Sequence, residues 1–430
     1  MFVRLGNTPL RYAWGARGAI TDFLGDAGAV IEPESGADPA PRQAELWLGA
    51  HYGSPSRILE PEKTGGATDL REWIRQDPAA TLDGLADGLR RGDGPRLPFL
   101  LKVLAAGQAL SLQVHPTLER ARRGFAAENE AGIALEAPDR NYRDPFHKPE
   151  LLVALSETMR ALAGFRSAAQ VRALVAEVGR AALDAGHGAG FSAFADRVAA
   201  IHGEHDLREL VRWILSCGDE AASALPGVDA WIATPASGFA RERENIARIR
   251  EAFPDDAGVL TALLLNHLTL RRGDAAYVRA GVMHAYLDGV GLELMAASDN
   301  VLRGGLTPKH VDVDELLDVL VCAPTPAPYL GAETLADGVV TYEPDEPDFR
   351  LQRLDTRDAD ATIRVPGPGI ALCLRGEAAL TGASGERCEL RRGEAVYVTP
   401  DEREVRIVGS DVDVVVASVG LDPEDTTPLE

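Results

Sequence analysis

One short phrase is written twice in this chain. Leu270-Arg-Arg-Gly-Asp-Ala-Ala-Tyr-Val278 returns as Leu390-Arg-Arg-Gly-Glu-Ala-Val-Tyr-Val398, with changes only at Asp274/Glu394 and Ala276/Val396. Each copy reads as the end of a strand, a Gly-Asp or Gly-Glu turn, and a following strand carrying Tyr and Val. A phrase of this kind repeated a hundred residues apart predicts a duplicated β unit of sandwich, jelly-roll or barrel type. The copies then diverge. The first continues through Ala280-Gly-Val-Met to His284, the second through Pro400-Asp-Glu-Arg to Glu404 at the aligned position. A histidine able to bind metal therefore stands in one unit only, and the second reads as structural or regulatory.

Between about 165 and 262 the period changes from two to 3.6. Ser167-Ala-Ala-Gln170 reads as a capping box, followed by Val171, Leu174, Val175 and Val178 on one helical stripe. Asp206-Leu-Arg-Glu209 predicts a second cap before Leu207, Leu210, Val211, Ile214 and Leu215, with Gly218 as a stop. Ile246, Ile249 and Phe253 mark a third, weaker helix. Leu97–Leu104 and Ala109–His115 read as buried strands joined at Gly107, and Pro324, Pro326 and Pro328 read as a linker. The expected fold is mainly β with a helical insertion: two jelly-roll β units plus an α-helical domain. Residues 1–164 and 263–323 form the catalytic β unit, 165–262 the insertion, and 324–430 the linker and a C-terminal β unit without metal ligands.

The chemistry concentrates in Ser111-Leu-Gln-Val-His-Pro, His147-Lys-Pro-Glu150 and Gly281-Val-Met-His284. Gln113 and His115, at i and i+2, leave a strand on the same face. Glu150 and His284, arriving from later strands, would close a four-ligand shell of the nitrogen and oxygen type that zinc accepts. A neutral Gln carbonyl leaves one compensating carboxylate. The site would stay net positive, which suits a Lewis acid facing an electron-rich or anionic substrate. Lys102 interrupts an apolar strand, so it faces either a cleft or a buried ion pair, and the cleft is favoured. His51 reads as a hydrogen-bonded structural residue, and His147 as a neighbour of the metal rather than a ligand. Tyr12 and Trp14 read as packing residues, and His187, His202 and His205 as surface residues.

Charge narrows the partners. A net charge of −22 argues against nucleic acid, whose phosphates need clustered cations, and an anionic substrate would have to be captured by local Arg and Lys. The four cysteines show no paired spacing and read as free thiols of a reducing compartment. No secretion signal and no membrane-spanning apolar run is legible, so a cytoplasmic protein is expected.

The same fragments carry a resemblance. Tyr12-Ala-Trp-Gly15, Ala44-Glu-Leu-Trp-Leu-Gly-Ala-His51, Leu97-Pro-Phe-Leu-Leu-Lys-Val-Leu104, Ser111–Pro116, Asp144-Pro-Phe-His-Lys-Pro-Glu150 and Glu293–Lys309 fall in the order seen in the type I mannose-6-phosphate isomerases of the cupin superfamily. The resemblance runs from the N-terminus to about residue 310 and makes both β units cupin-like. It implies one Zn²⁺ per chain held by Gln113, His115, Glu150 and His284, and a catalytic role for Arg303. It also implies an active site lined by Ser111, Lys102, Lys148, Glu293 and Lys309. The implied reaction interconverts mannose 6-phosphate and fructose 6-phosphate through an enediol. Glu293 and Lys148 are the candidates for the base, and Glu293 could instead orient a histidine. Ser111 and Lys309 would hold the phosphate while Arg303 stabilises the anionic intermediate. A monomer is expected.

Two departures stand out: Met283 where the family usually has proline before the histidine, and Tyr52 where proline is common. Neither removes a proposed role. The rival readings are a sugar-phosphate-binding cupin without turnover and an iron-dependent cupin oxygenase. Gln113 speaks against the oxygenase, because that chemistry prefers two histidines and one carboxylate.

Overall fold

The strand His284–Ala296 organises the catalytic half of the molecule. Its first part pairs with Thr158–Phe165 and touches Gln113; its second part pairs with Phe99–Ala106 and Glu150–Ala154. The change of partners falls near Gly289, at φ +107°, where a Cβ would lie 2.9 Å from the Thr158 carbonyl. Only glycine lets the strand turn there without displacing its neighbour. This structure, a computed structural model, describes residues 1–25, 40–83, 94–235, 238–335 and 338–420. Within them a 10-stranded antiparallel network forms the catalytic half and a 9-stranded sheet the C-terminal half.

Alternation along two strands decides what lies on each side of the metal residues. Leu112, Val114, Met283, Ala285 and Leu287 are buried in one core with Val171, Leu174, Val175 and Val178. Gln113, His115, His284 and Tyr286, on the intervening positions, leave the opposite face. The helical segment therefore packs on the face of the sheet opposite the metal residues. It runs through Ala168–Asp184, Gly188–Ala199, Glu204–Ser216, Leu225–Ile232, Ala240–Ala252 and Gly258–Leu264. Its first helix carries the capping box read from Ser167 and Gln170. The second cap is different from the one expected. The helix starts at Glu204, and Asp206 is its third residue, accepting hydrogen bonds from the His202 and Gly203 amides. An acidic residue at N3 closes a helix start as well as one at the cap.

The stretch Ala109–His115 also differs from expectation. Only Gln113–Val114 is regular strand. Leu110 and Leu112 donate single amide hydrogen bonds to Tyr286 and Gly305, so the segment is buried without a continuous ladder. The repeated phrase, by contrast, folds alike twice. Gly273 and Gly393 both have φ above +80°. The Asp274 and Glu394 carboxylates each accept from the amide three residues earlier, at 2.9 and 2.8 Å.

The C-terminal sheet takes in the start of the chain. Phe2–Gly6 pairs antiparallel with Ala395–Val398, Phe2 opposite Val398, and Arg57–Ile58 continues the sheet. Facing apolar residues of the two sheets share one core, with Leu151, Val153, Leu292 and Leu294 packed among Ile370, Leu372, Val415 and Ala417. No helix among the described residues is long and apolar enough to cross a membrane.

Candidate metal centre

His115, Glu150 and His284 are buried, and their ligand atoms lie within 4.8 Å of one another. Glu150 stands between the imidazoles: Oε1 is 3.2 Å from His115 Nε2, and Oε2 is 3.2 Å from His284 Nε2. Their far nitrogens are committed to the backbone. His115 Nδ1 donates to the Asn300 carbonyl at 2.8 Å, and His284 Nδ1 to the Val282 carbonyl at 3.1 Å. A carbonyl can only accept, so both rings carry a proton on Nδ1, and Nε2 is the nitrogen that each turns toward Glu150. His115 Nε2 makes no hydrogen bond although it is buried. Burial, with Lys148 nearby, lowers its pKa to about 4, so the ring is neutral near pH 7. Two imidazole nitrogens facing one carboxylate, one of them buried without a hydrogen-bond partner, fit a divalent cation.

Gln113 arrives by register, opposite His284 on one side and Arg303 on the other. Its amide nitrogen reaches Ser111 Oγ at 3.5 Å. Burial alone would raise the Glu150 carboxyl, yet the Lys148 ammonium, 2.9 Å away, holds it well below the ordinary carboxylate range. Tyr286, two residues after His284 on the same face, donates its hydroxyl to Glu150 at 3.1 Å.

Lys102 has both of the fates weighed for it. Opposite Glu293 across an antiparallel pair, it forms a buried ion pair with that carboxylate at 2.9 Å and lies 3.5 Å from Glu45. It also lines a cavity of about 40 Å³ together with Gln113, Lys148, Glu150, His284, Tyr286 and Glu293. Glu293 does not orient a histidine, since both imidazoles are oriented by carbonyls. Its carboxyl is pushed up by burial against the opposing pull of Lys102. A larger groove of about 490 Å³, bordered by Arg166, Arg241 and Asn266, contains none of these groups; the donor chemistry lies in the smaller one.

The comparisons with known proteins follow the same lines. The phosphomannose isomerase type I catalytic domain matches residues 2–168. The mannose-6-phosphate isomerase of Escherichia coli K12 is 36% identical over 94% of this chain and 97% of its own length. The enzyme of that name from Salmonella typhimurium is 37% identical over 95% and 97%. The chain belongs to the type I mannose-6-phosphate isomerase family. A zinc-bound mannose 6-phosphate isomerase superposes with a TM-score of 0.82 at 34% identity, covering 98% of this chain and 100% of that one. Against that isomerase background, Arg303 is half-buried and Lys309 exposed. Burial lowers the pKa of both. The charges acting on them are cationic, Arg143 on Arg303, and both arginines on Lys309.

Arg143, Tyr286 and Asn300 were not singled out by sequence reasoning. Asn300 is fully buried. It accepts from the Arg143 amide at 2.8 Å, donates to the Asp144 and Phe146 carbonyls at 2.7 and 2.8 Å, and offers its own carbonyl to His115. The i+2 spacing from His284 could have found Tyr286. The position of Arg143 just before Asp144-Pro145 could have raised it in so acidic a chain. Nothing in the sequence announces Asn300 as an organiser. His51 lies 3.3 Å from Asp299, and the Tyr52 hydroxyl donates to the same carboxylate while its ring stacks on His51.

Proposed function

We propose that the chain interconverts mannose 6-phosphate and fructose 6-phosphate, with one Zn²⁺ held by His115, Glu150, His284 and Gln113. The observation that carries this reading is the buried His–Glu–His cluster with both Nε2 atoms turned toward Glu150, in a chain of this family. Zinc, when bound, supplies Lewis acidity toward the sugar oxygens on which enediolate charge develops.

The surrounding side chains divide the remaining work. The Glu293 carboxylate, whose pKa burial raises, takes the C2 proton of the opened aldose and returns it at C1, while the O2 hydroxyl proton passes to O1 so that C1 becomes the alcohol and C2 the ketone. Lys148 and Arg303 offer cationic donors to the oxygens that become negative between those steps. Arg143, Arg303 and Lys309 form a local positive field in a protein of net charge −22, and with Ser111 they would receive the phosphate. Tyr286 remains a neutral phenol, because burial and Glu150 raise its pKa, and it holds the ligand carboxylate in place.

The direct test is turnover of mannose 6-phosphate before chelation, after it, and after zinc is restored. Activity that disappears and returns is expected. A folded, zinc-loaded sample without turnover would sink the reading and favour a binding protein. Arg303→Ala should lower kcat by on the order of 10²-fold while zinc stays at one per chain. Loss of zinc from this variant would assign Arg303 to the architecture of the site instead.

A further inference from the structure

Close to the metal cluster the same kinds of side chain meet again. His147, Glu346 and Asp348 also place their ligand atoms within 4.8 Å of one another, but their geometry differs. His147 Nε2 lies 2.5 Å from Asp348 Oδ2 and 3.8 Å from Glu346. Two donors bound tetrahedrally to zinc at about 2.0–2.1 Å would sit roughly 3.3 Å apart, near the 3.2 Å found around Glu150. At 2.5 Å a proton, not an ion, joins imidazole and carboxylate. Burial pushes the Glu346 carboxyl up to about 7, and the Tyr277 hydroxyl donates to it at 3.3 Å.

The contact spans the two halves of the molecule. Asp348 is buried beside Phe349, which is fully buried in the core shared by both sheets. His147 belongs to the segment Pro145–Pro149. That segment is anchored through the Phe146 carbonyl, which accepts from Asn300, and the Pro149 carbonyl, which accepts from the Ala296 amide. Between those anchors the side chains diverge: His147 reaches the C-terminal half, and the next residue, Lys148, places its ammonium 2.9 Å from Glu150.

We propose that Asp348 is a positioning residue of the active site, through which the C-terminal half grips His147 and keeps the Lys148 ammonium aimed at Glu150. This rests on the isomerase reading above and gives the metal-free β unit a part in the reaction. Asp348 does not line the cavity beside the metal ligands; it acts through His147.

The test compares Asp348→Ala, His147→Ala and the double variant as full-length, zinc-loaded proteins, measuring kcat, KM for mannose 6-phosphate, zinc content and Tm. Each single change should lower kcat by on the order of 10- to 100-fold, leave KM within about threefold, and keep one zinc per chain. The double variant should be no worse than either single one. Asp348→Asn, which keeps an acceptor for His147, should recover part of the loss, and it carries the cycle with His147→Ala if Asp348→Ala does not fold. A kcat within about twofold of the parent, or losses that simply add, would overturn the proposal. So would a loss of activity that tracks lost zinc or lowered Tm at unchanged kcat per folded, loaded molecule. An inactive zinc-loaded parent would remove the isomerase reading itself, whereas an active parent with an indifferent Asp348→Ala removes this inference alone.

Discussion

Glu150→Gln should yield a folded protein that loses zinc on dialysis and turns over mannose 6-phosphate at least about 10²–10³-fold more slowly. Glu150 is the one carboxylate in the proposed ligand set, and its two oxygens face His115, His284, Lys148 and Tyr286 at 2.9–3.2 Å. A neutral amide would leave the cation among neutral ligands with Lys148 beside it, so Coulomb repulsion is no longer offset. The amide NH₂ would also point a donor at the Lys148 ammonium or the Tyr286 hydroxyl, both of which donate to Glu150. Zinc per chain and kcat, measured on the same dialysed sample, decide the matter. Full occupancy with near-parental kcat would show that Glu150 is not a ligand.

Lys102→Met should produce the largest loss of stability of any single change in the site, on the order of 3–5 kcal/mol. The Lys102 side chain is 5% exposed and that of Glu293 3%, so removing the ammonium leaves a buried carboxylate without its counter-charge. Glu45 suffers less, because the Trp47 indole still donates to it at 3.0 Å. Thermal or denaturant unfolding should show the loss as a Tm lower by several degrees. Adding Glu293→Met should restore much of the stability without restoring turnover, since the proposed base is then gone. An unchanged Tm for Lys102→Met would mean that the pair contributes little to holding the fold.

The residues that were legible in the sequence are those whose meaning is local. Ser167 and Gln170 announce a helix start because the capping box closes within four residues, and the stripe from Val171 to Val178 needs only its own period. The Leu270 and Leu390 phrases were readable because each turn satisfies its own backbone through Asp274 or Glu394. Register was not readable. That Glu293 faces Lys102, rather than a histidine, depends on how Phe99–Ala106 aligns with His284–Ala296, and neither strand states this alone. The run from Ala109 to His115 alternates like a strand, yet its neighbours offer amide partners only at intervals. Arg143 gains significance only when Asn300 folds its segment beside Arg303.

The pairing of Phe2–Gly6 with Ala395–Val398 bears on how this protein is made. During synthesis the strand Phe2–Gly6 leaves the ribosome and then waits for a partner encoded about 390 residues further along. At roughly 5–20 residues per second that wait lasts on the order of 20–80 s. Arg57–Ile58 can pair early with one edge, but until then the other edge, the one that will face Ala395–Val398, has no native neighbour and needs cover against stray pairing. A fragment beginning at the proline-rich stretch Pro324–Pro328 would inherit the complementary defect, an open edge along Ala395–Val398. The two halves of this molecule are distinct in space but not separable in sequence.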